Sequence, residues 1–206
     1  MTRIEKLLPP AQAGRPWTAA LTGGTLLRLP EGAVADFALY VGMELDPGTL
    51  EALERRAEAL ALREKAAALL SRQMLSAGQL RERLSRKGAP EDRVEETVEW
   101  AERIGLVNDR TYAAALVKHC RQKGYGLYKI RDELYRRRVP RDLWEEALAE
   151  LEDPGEIIDR FLKKKLLDPE DPKQIRKASD ALARRGFSWH EVSEGIQRAK
   201  DRLREG

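Results

Sequence analysis

This chain of 206 residues is poor in the side chains that build disulfides, metal sites and aromatic cores. It contains one cysteine, two histidines and 6% aromatic residues. The single cysteine, Cys120, excludes an intramolecular disulfide framework and fits a reducing compartment, so we expect a cytoplasmic protein. The histidines, His119 and His190, lie far apart in sequence, and no second cysteine exists to complete a site beside His119. We therefore expect neither a metal nor a cofactor.

Long apolar runs and familiar catalytic patterns are also missing. No window of 18 apolar residues is present, and the first residues do not form a signal-peptide pattern, so we expect no membrane span. The sequence has no GxxxxGKS/T or GxGxxG loop for phosphates, no HExxH motif and no CxxC pair. Acidic residues are numerous at helical spacing, which favours surface ion pairs over a catalytic carboxylate pair. We therefore predict that the protein is not an enzyme.

Charged residues, in contrast, are abundant and unevenly placed. They make up 35% of the chain against 42% apolar residues, a composition typical of a folded, charge-rich helical protein. The formal net charge is only +3, yet residues 118–141 hold nine basic and two acidic residues. A cluster of this kind attracts polyanions or an acidic protein surface. The alternative is an ordinary solvated helix face.

The first 45 residues differ from the rest and predict a small N-terminal β-containing region. The stretch WTAALTGGTLLRLP places two short apolar runs around the Gly23-Gly24 pair, which indicates a hairpin. The stretch RIEKLL supplies a third strand. Because leucine-rich runs fit both strands and helices, the glycine pair is the stronger of these signals.

A long helix is predicted to follow this region. Asp46 is placed to cap it, and Pro47 suits its first position. We expect the helix to reach about Gln73, with a break near Leu62 as the alternative. On this basis residues 46–61 are assigned as a connecting helix.

The rest of the chain repeats itself. The segment SAGQLRERLSRKGAPEDRVEETV, which begins at Ser76, aligns with GLYKIRDELYRRRVPRDLWEEAL, which begins at Gly126, and a further shift of 48 residues reaches a third copy. The coinciding apolar positions are Leu80, Ile130 and Ala178, then Leu84, Leu134 and Leu182, and finally Val98, Leu148 and Ile196. Such a period is typical of stacked helical units. We predict a mainly α fold in which three-helix repeats at 62–108, 109–152 and 153–206 form an elongated array.

Helix-capping residues recur in these repeats. Ser76 with Gln79, and Ser188 with Glu191, have the spacing of capping boxes, in which side chain and backbone cap each other at a helix start. Gly88 suits the left-handed end of a helix. These signals set the start of the second helix in the first repeat and of the third helix in the third repeat.

The middle repeat carries a pattern that its neighbours lack. Beside the apolar stripe of its second helix lie Tyr128, Arg131, Tyr135 and Arg138. The matching residues are Gly78, Arg81, Ser85 and Gly88 in the first repeat and Arg176, Ser179, Ala183 and Gly186 in the third. We interpret the alternating tyrosines and arginines as a binding surface; the alternative is that the tyrosines widen the core. The candidate binding residues are Tyr128, Arg131, Tyr135, Arg138, Arg141, Lys163, Lys164 and Lys165.

Three stretches of the sequence, VGMELDPGTLEAL, IGLVNDRTYA and GLYKIRDELYRRRVP, form a distinctive set. Together they resemble the RecX family, the bacterial regulators of the RecA recombinase, and the resemblance is specific over residues 62–148. In the family pattern for the middle repeat, Gly126, Ile130, Glu133 and Leu134 match, and Arg137 stands for a lysine. Arg138 replaces the glycine that follows it. A left-handed turn there would strain a residue that is not glycine.

The resemblance implies a non-enzymatic protein of tandem three-helix repeats that lies in the groove of the RecA–single-stranded-DNA filament. It further implies inhibition of RecA ATP hydrolysis, filament growth and strand exchange, and thereby a role in modulating recombination and DNA repair. The expected partner is the RecA nucleoprotein filament, and we expect the protein to be a monomer. The alternative is a general single-stranded nucleic-acid-binding protein, since arginine with interleaved tyrosine suits unpaired bases. Because some members of the family also bind DNA directly, the resemblance adds single- or double-stranded DNA as a further partner.

Overall fold

The computed structural model describes residues 2–12, 14–86, 88–149 and 153–204. These residues form two compact units. One contains the described residues up to Met74 together with Leu80–Val107, and the other contains Leu75–Gln79 together with the described residues from Asn108 onward. Within the described residues, no helix combines the length and the apolar character that a membrane crossing needs.

The first unit opens with the predicted β-containing region. Its strands are β1 (Thr2–Leu8), β2 (Trp17–Leu21), β3 (Leu26–Leu29) and β4 (Glu44–Leu45), paired antiparallel in the order β3-β2-β1-β4. The predicted hairpin is confirmed, and both Gly23 and Gly24 have positive φ, at 91° and 85°. Glycine adopts such angles without steric cost, which is why this pair can connect β2 to β3. A short helix, α1 (Glu31–Asp36), follows the hairpin.

The long helix α2 (Pro47–Leu70) packs against the sheet. Its predicted start is confirmed, because Asp46 Oδ1 accepts hydrogen bonds from Gly48 N at 2.9 Å and Thr49 N at 3.0 Å. The hydroxyl and backbone N–H of Thr49 lower the pKa of Asp46. The helix does not break near Leu62 and ends at Leu70 instead of Gln73. Because α2 continues through Leu62, the boundary between the connecting helix at 46–61 and the first repeat at 62–108 stays a prediction.

Two further helices complete the helical part of the first repeat, α3 (Ala77–Ser85) and α4 (Glu91–Arg103). The predicted capping box at the start of α3 is confirmed: Ser76 N donates to Gln79 Oε1 at 3.3 Å, and Gln79 N donates to Ser76 Oγ at 3.0 Å. Gly88 adopts the expected left-handed conformation, with φ of 79°. In the first unit, α4 packs along α2.

The second unit contains the helices of the middle and third repeats. They are α5 (Asp109–Gln122), α6 (Leu127–Arg136), a 3₁₀ turn at Arg141–Leu143, α7 (Trp144–Leu148), α8 (Pro154–Lys165), α9 (Pro172–Arg184) and α10 (Trp189–Arg204). One core forms around Ile130 and Leu134, and another forms around Ile158 and Leu182. The capping box at the start of α10 is confirmed, with Ser188 N donating to Glu191 Oε2 at 2.6 Å.

The positions that coincide between repeats are core positions. Leu84, Leu134 and Leu182 are each 0% exposed. The exception is the third helix of the middle repeat, where Trp144 and Leu148 are only half-buried. This helix is short and follows a 3₁₀ turn, and Trp144 Nε1 donates to Val139 O at 3.0 Å, so one edge of the indole stays polar.

Backbone hydrogen bonds connect the middle repeat to the third. Gly126 N donates to Arg185 O at 2.8 Å, and Tyr128 N donates to Gly186 O at 3.1 Å. The first N–H groups of a helix have no partner within it, so these carbonyls satisfy groups that would otherwise need water or a side-chain cap. A Cβ at Gly126 would overlap the backbone of Gly186, and a Cβ at Gly186 would overlap the backbone of Lys129. We call this contact the repeat junction.

A second contact of the same kind lies elsewhere in the second unit. Ser76 Oγ donates to Arg137 O. A Cβ at Gly78 would lie 2.6 Å from Arg138 Cβ and 2.7 Å from Arg138 O. Here Arg138 takes the place of Gly186, and its φ of 54° lies in the left-handed region. The residue that replaces the family glycine therefore adopts the glycine conformation, at a cost of roughly 1–2 kcal/mol.

Two substitutions at these contacts should change stability in opposite directions. Arg138→Gly removes left-handed strain and should raise the free energy of unfolding by up to about 1 kcal/mol. Gly186→Ala adds both strain and a backbone overlap, and should lower it by at least about 2 kcal/mol. Urea unfolding monitored by circular dichroism measures both changes. Shifts of the same sign in the two variants would contradict the assignment of residue 138 as a strained helix end.

Candidate docking surface

The exposed flank of α6 carries three of the predicted binding residues. Tyr128 is 61% exposed and Tyr135 is 65% exposed, while Ile130 and Leu134 on the buried face of the same helix are 0% exposed. The tyrosines therefore lie outside the core that they were alternatively expected to widen. Arg131 is exposed between them and makes no ion pair with the described residues. We call Tyr128, Arg131 and Tyr135 the docking surface.

On the other flank of α6, three cations surround one carboxylate. Glu133, whose side chain is 17% exposed, lies 3.9 Å from Lys129 Nζ, 3.5 Å from Arg136 Nη1 and 3.7 Å from Arg137 Nε. The Lys129–Glu133 and Glu133–Arg137 pairs have i,i+4 spacing. Asp132 contacts Lys129 Nζ at 3.1 Å. Arg131 is therefore the cation of α6 that makes no ion pair with the described residues.

Two of the predicted residues have local roles that the sequence did not reveal. The expectation that Arg138 continues the stripe on the next turn of α6 is wrong, because α6 ends at Arg136 and the backbone of Arg138 packs against Gly78. The Arg141 guanidinium lies over the Trp144 ring at 5.9 Å from its centroid, which stabilises the cation on an aromatic face. The Arg141 side chain therefore already makes a contact within the middle repeat.

The lysines at 163–165 lie on another helix. They form the last turn of α8, where cations interact favourably with the helix C-terminus, and all three are exposed. They make no ion pair with the described residues. These lysines therefore belong to the third repeat, whereas the docking surface belongs to the middle repeat.

Sequence reasoning missed a basic face on α9. Lys173, Arg176, Lys177 and Arg184 recur at helical spacing, are exposed, and make no ion pair with the described residues. The residue that matches Glu133 in this repeat is Ala181, and the exposed Asp180 beside it makes no ion pair with the described residues. The spacing in PKQIRKASDALAR was the signal that could have revealed this face.

The reactive side chains outside these surfaces take part in the packing and hydrogen bonding of the fold. Cys120 is buried, and burial together with the nearby Glu133 raises the pKa of its thiol, which keeps the less reactive protonated form. Within the described ranges, no three His, Cys, Asp or Glu side chains are grouped so that they could hold a metal ion. Tyr112 donates its hydroxyl hydrogen to Gln79 Oε1 at 3.0 Å and belongs to the polar contacts around the α3 start.

Comparison with known families places these helices in a recognised class. Residues 63–100 match the family model described as the first three-helix domain of RecX, and residues 108–148 match the model of its second three-helix domain. Tandem three-helix units that follow a small antiparallel sheet in the chain define a helical-repeat protein. The chain belongs to the RecX family of regulatory proteins.

Individual relatives agree with this assignment. The regulatory protein RecX of Prosthecochloris aestuarii is 31% identical over 160 residues, which cover 77% of this chain and 97% of that protein. The regulatory protein RecX of Vibrio parahaemolyticus is 31% identical over 143 residues, which cover 68% of this chain and 92% of that protein.

Solved structures share the fold. A crystal structure of regulatory protein RecX matches with a TM-score of 0.76 at 22% identity, covering 96% of this chain and 99% of that one. A crystal structure of RecX from Lactobacillus salivarius matches with a TM-score of 0.58 at 20% identity, covering 68% of this chain and 95% of that one.

The two faces of α6 should respond differently to truncation. Leu134→Ala removes a fully buried side chain and should lower the free energy of unfolding by about 2–5 kcal/mol. Arg131→Ala removes an exposed cation without an ion-pair partner and should change it by less than about 0.5 kcal/mol. Thermal or urea unfolding of both variants measures the difference. Equal losses would mean that the buried and exposed faces of α6 are assigned wrongly.

Proposed function

We propose that this protein binds the RecA–single-stranded-DNA filament and inhibits its ATP hydrolysis, its growth and its strand exchange. Membership of the RecX family supports the choice of partner. The observation that carries the proposal is the docking surface itself, two tyrosines more than half exposed with an arginine between them that makes no ion pair with the described residues. Exposed aromatic side chains grouped in one patch, rather than scattered singly, mark sites of protein interaction.

The chemistry of this surface suits protein recognition. Tyrosine and arginine are frequent interface anchors, because each combines a large contact area with directed polar groups. The tyrosine side chain has few rotatable bonds, so little conformational entropy is lost when it is immobilised. The docking surface lies on a helix whose first turn is fixed by the repeat junction, so binding requires little reordering of the backbone.

Inhibition follows if the bound protein favours one conformation of the filament. A ligand shifts a conformational equilibrium by its difference in affinity for the two states. Tandem repeats offer several contacts along one chain, and weak contacts that form together act at high effective concentration. A filament held in this way would pass more slowly through the subunit rearrangements that accompany ATP hydrolysis and strand exchange.

A second candidate function is direct binding of single-stranded nucleic acid. The α9 face favours it, because Lys173, Arg176, Lys177 and Arg184 are exposed and make no ion pair with the described residues. Cations arranged along one helix face suit phosphates. Four such contacts on single strands should give a log–log salt dependence with a slope of about −3. Binding to the filament through the docking surface should depend less steeply on salt.

The protein should slow ATP hydrolysis by preformed RecA filaments on single-stranded DNA. Sub-stoichiometric amounts should suffice if each bound molecule restrains several subunits. Steady-state ATPase measured against increasing protein gives the result directly. If a folded protein at a concentration equal to that of a cognate RecA has no effect, the proposed function is wrong.

The docking surface can be tested with matched double variants. Arg131→Ala with Tyr135→Ala should weaken filament binding by roughly 2 kcal/mol or more, which is at least about thirtyfold in affinity. Arg81→Ala with Ser85→Ala changes the same two helix positions in the first repeat and should do much less, because Arg81 already pairs with Glu95 at 2.5 Å.

Filament affinity is measured by fluorescence anisotropy for both double variants. Circular dichroism serves as the folding control. Equal affinities for the two variants would rule out α6 as the principal contact.

A further inference from the structure

A groove in the second unit is not explained by the docking surface. It has a volume of about 830 Å³ and lies between α5, α7 and the first turns of α8. Its floor is apolar and built largely from small side chains, including Ala114, Ala115 and Ala147, with Leu143 and Ile157 beside them. Small side chains allow another backbone to approach the helices closely.

The rim of the groove is mainly basic. Its cations are Arg110, Lys118, Arg121 and Arg160, and its carboxylates are Glu146 and Glu156. Arg110 is paired across the groove with Glu146 at 3.2 Å, which leaves Lys118 and Arg160 exposed and without an ion pair among the described residues. The rim therefore offers positive charge to an incoming group.

We propose that this groove binds an acidic segment of the RecA subunit that carries aliphatic side chains. The inference rests on the proposed function and adds a second contact to the docking surface. Aliphatic side chains would cover the alanine floor, and acidic side chains would pair with Lys118 and Arg160. The wall formed by α5 is 14 residues long, about 21 Å, which accommodates four helical turns or about six extended residues of a partner.

A protein segment fits this groove better than a nucleic acid. No aromatic side chain is found among the described residues that line it, and single strands are commonly held by stacking of bases on aromatic rings. A phosphate backbone offers no hydrogen-bond donor to the carboxylates of Glu146 and Glu156 on its walls. A peptide, in contrast, can donate N–H groups to those carboxylates while its acidic side chains contact the cations.

The groove can be closed without disturbing the core. Ala115 is exposed on α5, so Ala115→Trp fills the groove, while Ala115→Ser keeps it open. Lys118→Glu inverts an unpaired rim charge, and Lys123→Glu makes the same change at an exposed residue that does not line the groove. Binding is measured by fluorescence anisotropy to RecA filaments and to a bare oligothymidylate, with melting temperature as the folding control.

Ala115→Trp and Lys118→Glu should each weaken filament binding at least about tenfold, the effect of losing one interface anchor. Ala115→Ser and Lys123→Glu should stay within about twofold of the unchanged protein. If the unchanged protein binds filaments and both groove variants bind them with the same affinity as the unchanged protein, this inference is overturned and the proposed function stands. If the unchanged protein does not bind filaments, both are overturned.

Two other outcomes would assign the groove to a different occupant and overturn the inference. An equal loss of affinity for the bare oligothymidylate in Lys118→Glu would indicate a nucleic-acid site. A dimer of the unchanged protein that Ala115→Trp converts to monomers in analytical ultracentrifugation would indicate a contact between two copies of this chain.

Discussion

Two backbone hydrogen bonds at the repeat junction determine how the middle repeat presents its second helix. Gly126 and Tyr128 donate to the carbonyls of Arg185 and Gly186, so the start of α6 is capped by the end of α9 and not by a side chain of its own. This contact is possible only because both Gly126 and Gly186 lack a Cβ. Since Tyr128 is itself one of the donors, the same contact that joins the repeats fixes the first residue of the docking surface.

Ion pairing then distinguishes α6 from α9, which are the second helices of the middle and third repeats. On α6, Glu133 lies within ion-pair distance of three cations, whereas Arg131, beside two exposed tyrosines, makes no ion pair with the described residues. On α9, Ala181 replaces that glutamate, and the cations on its outer face remain unpaired among the described residues. A surface with aromatic anchors suits a protein partner, whereas a group of exposed cations without ion pairs suits phosphates. The two proposed functions would therefore use different repeats of one chain.

The sequence predicted what local chemistry and periodicity determine. The Gly23-Gly24 hairpin, the Asp46 cap and the capping boxes follow from the preferences of a few adjacent residues, and the buried stripe follows from a fifty-residue period. The repeat junction could not be predicted, because it joins the backbone of Gly126 to carbonyls about sixty residues away in the chain. For the same reason Arg138 was expected on the docking surface, although its left-handed backbone places it in a contact with Gly78. The spacing of the basic residues on α9 can be read from the sequence, but the structure is needed to show that these residues make no ion pair with the described residues.

Site-specific photocrosslinking tests most directly whether the exposed flank of α6 contacts RecA. A benzophenone amino acid placed at Tyr135 should form an adduct with RecA in filaments on single-stranded DNA. The same group at Tyr40, a tyrosine of comparable exposure at 62% in the first unit, serves as the control and should form little. Adducts of equal yield from both positions, or none from position 135 in a variant that still binds filaments, would contradict the account.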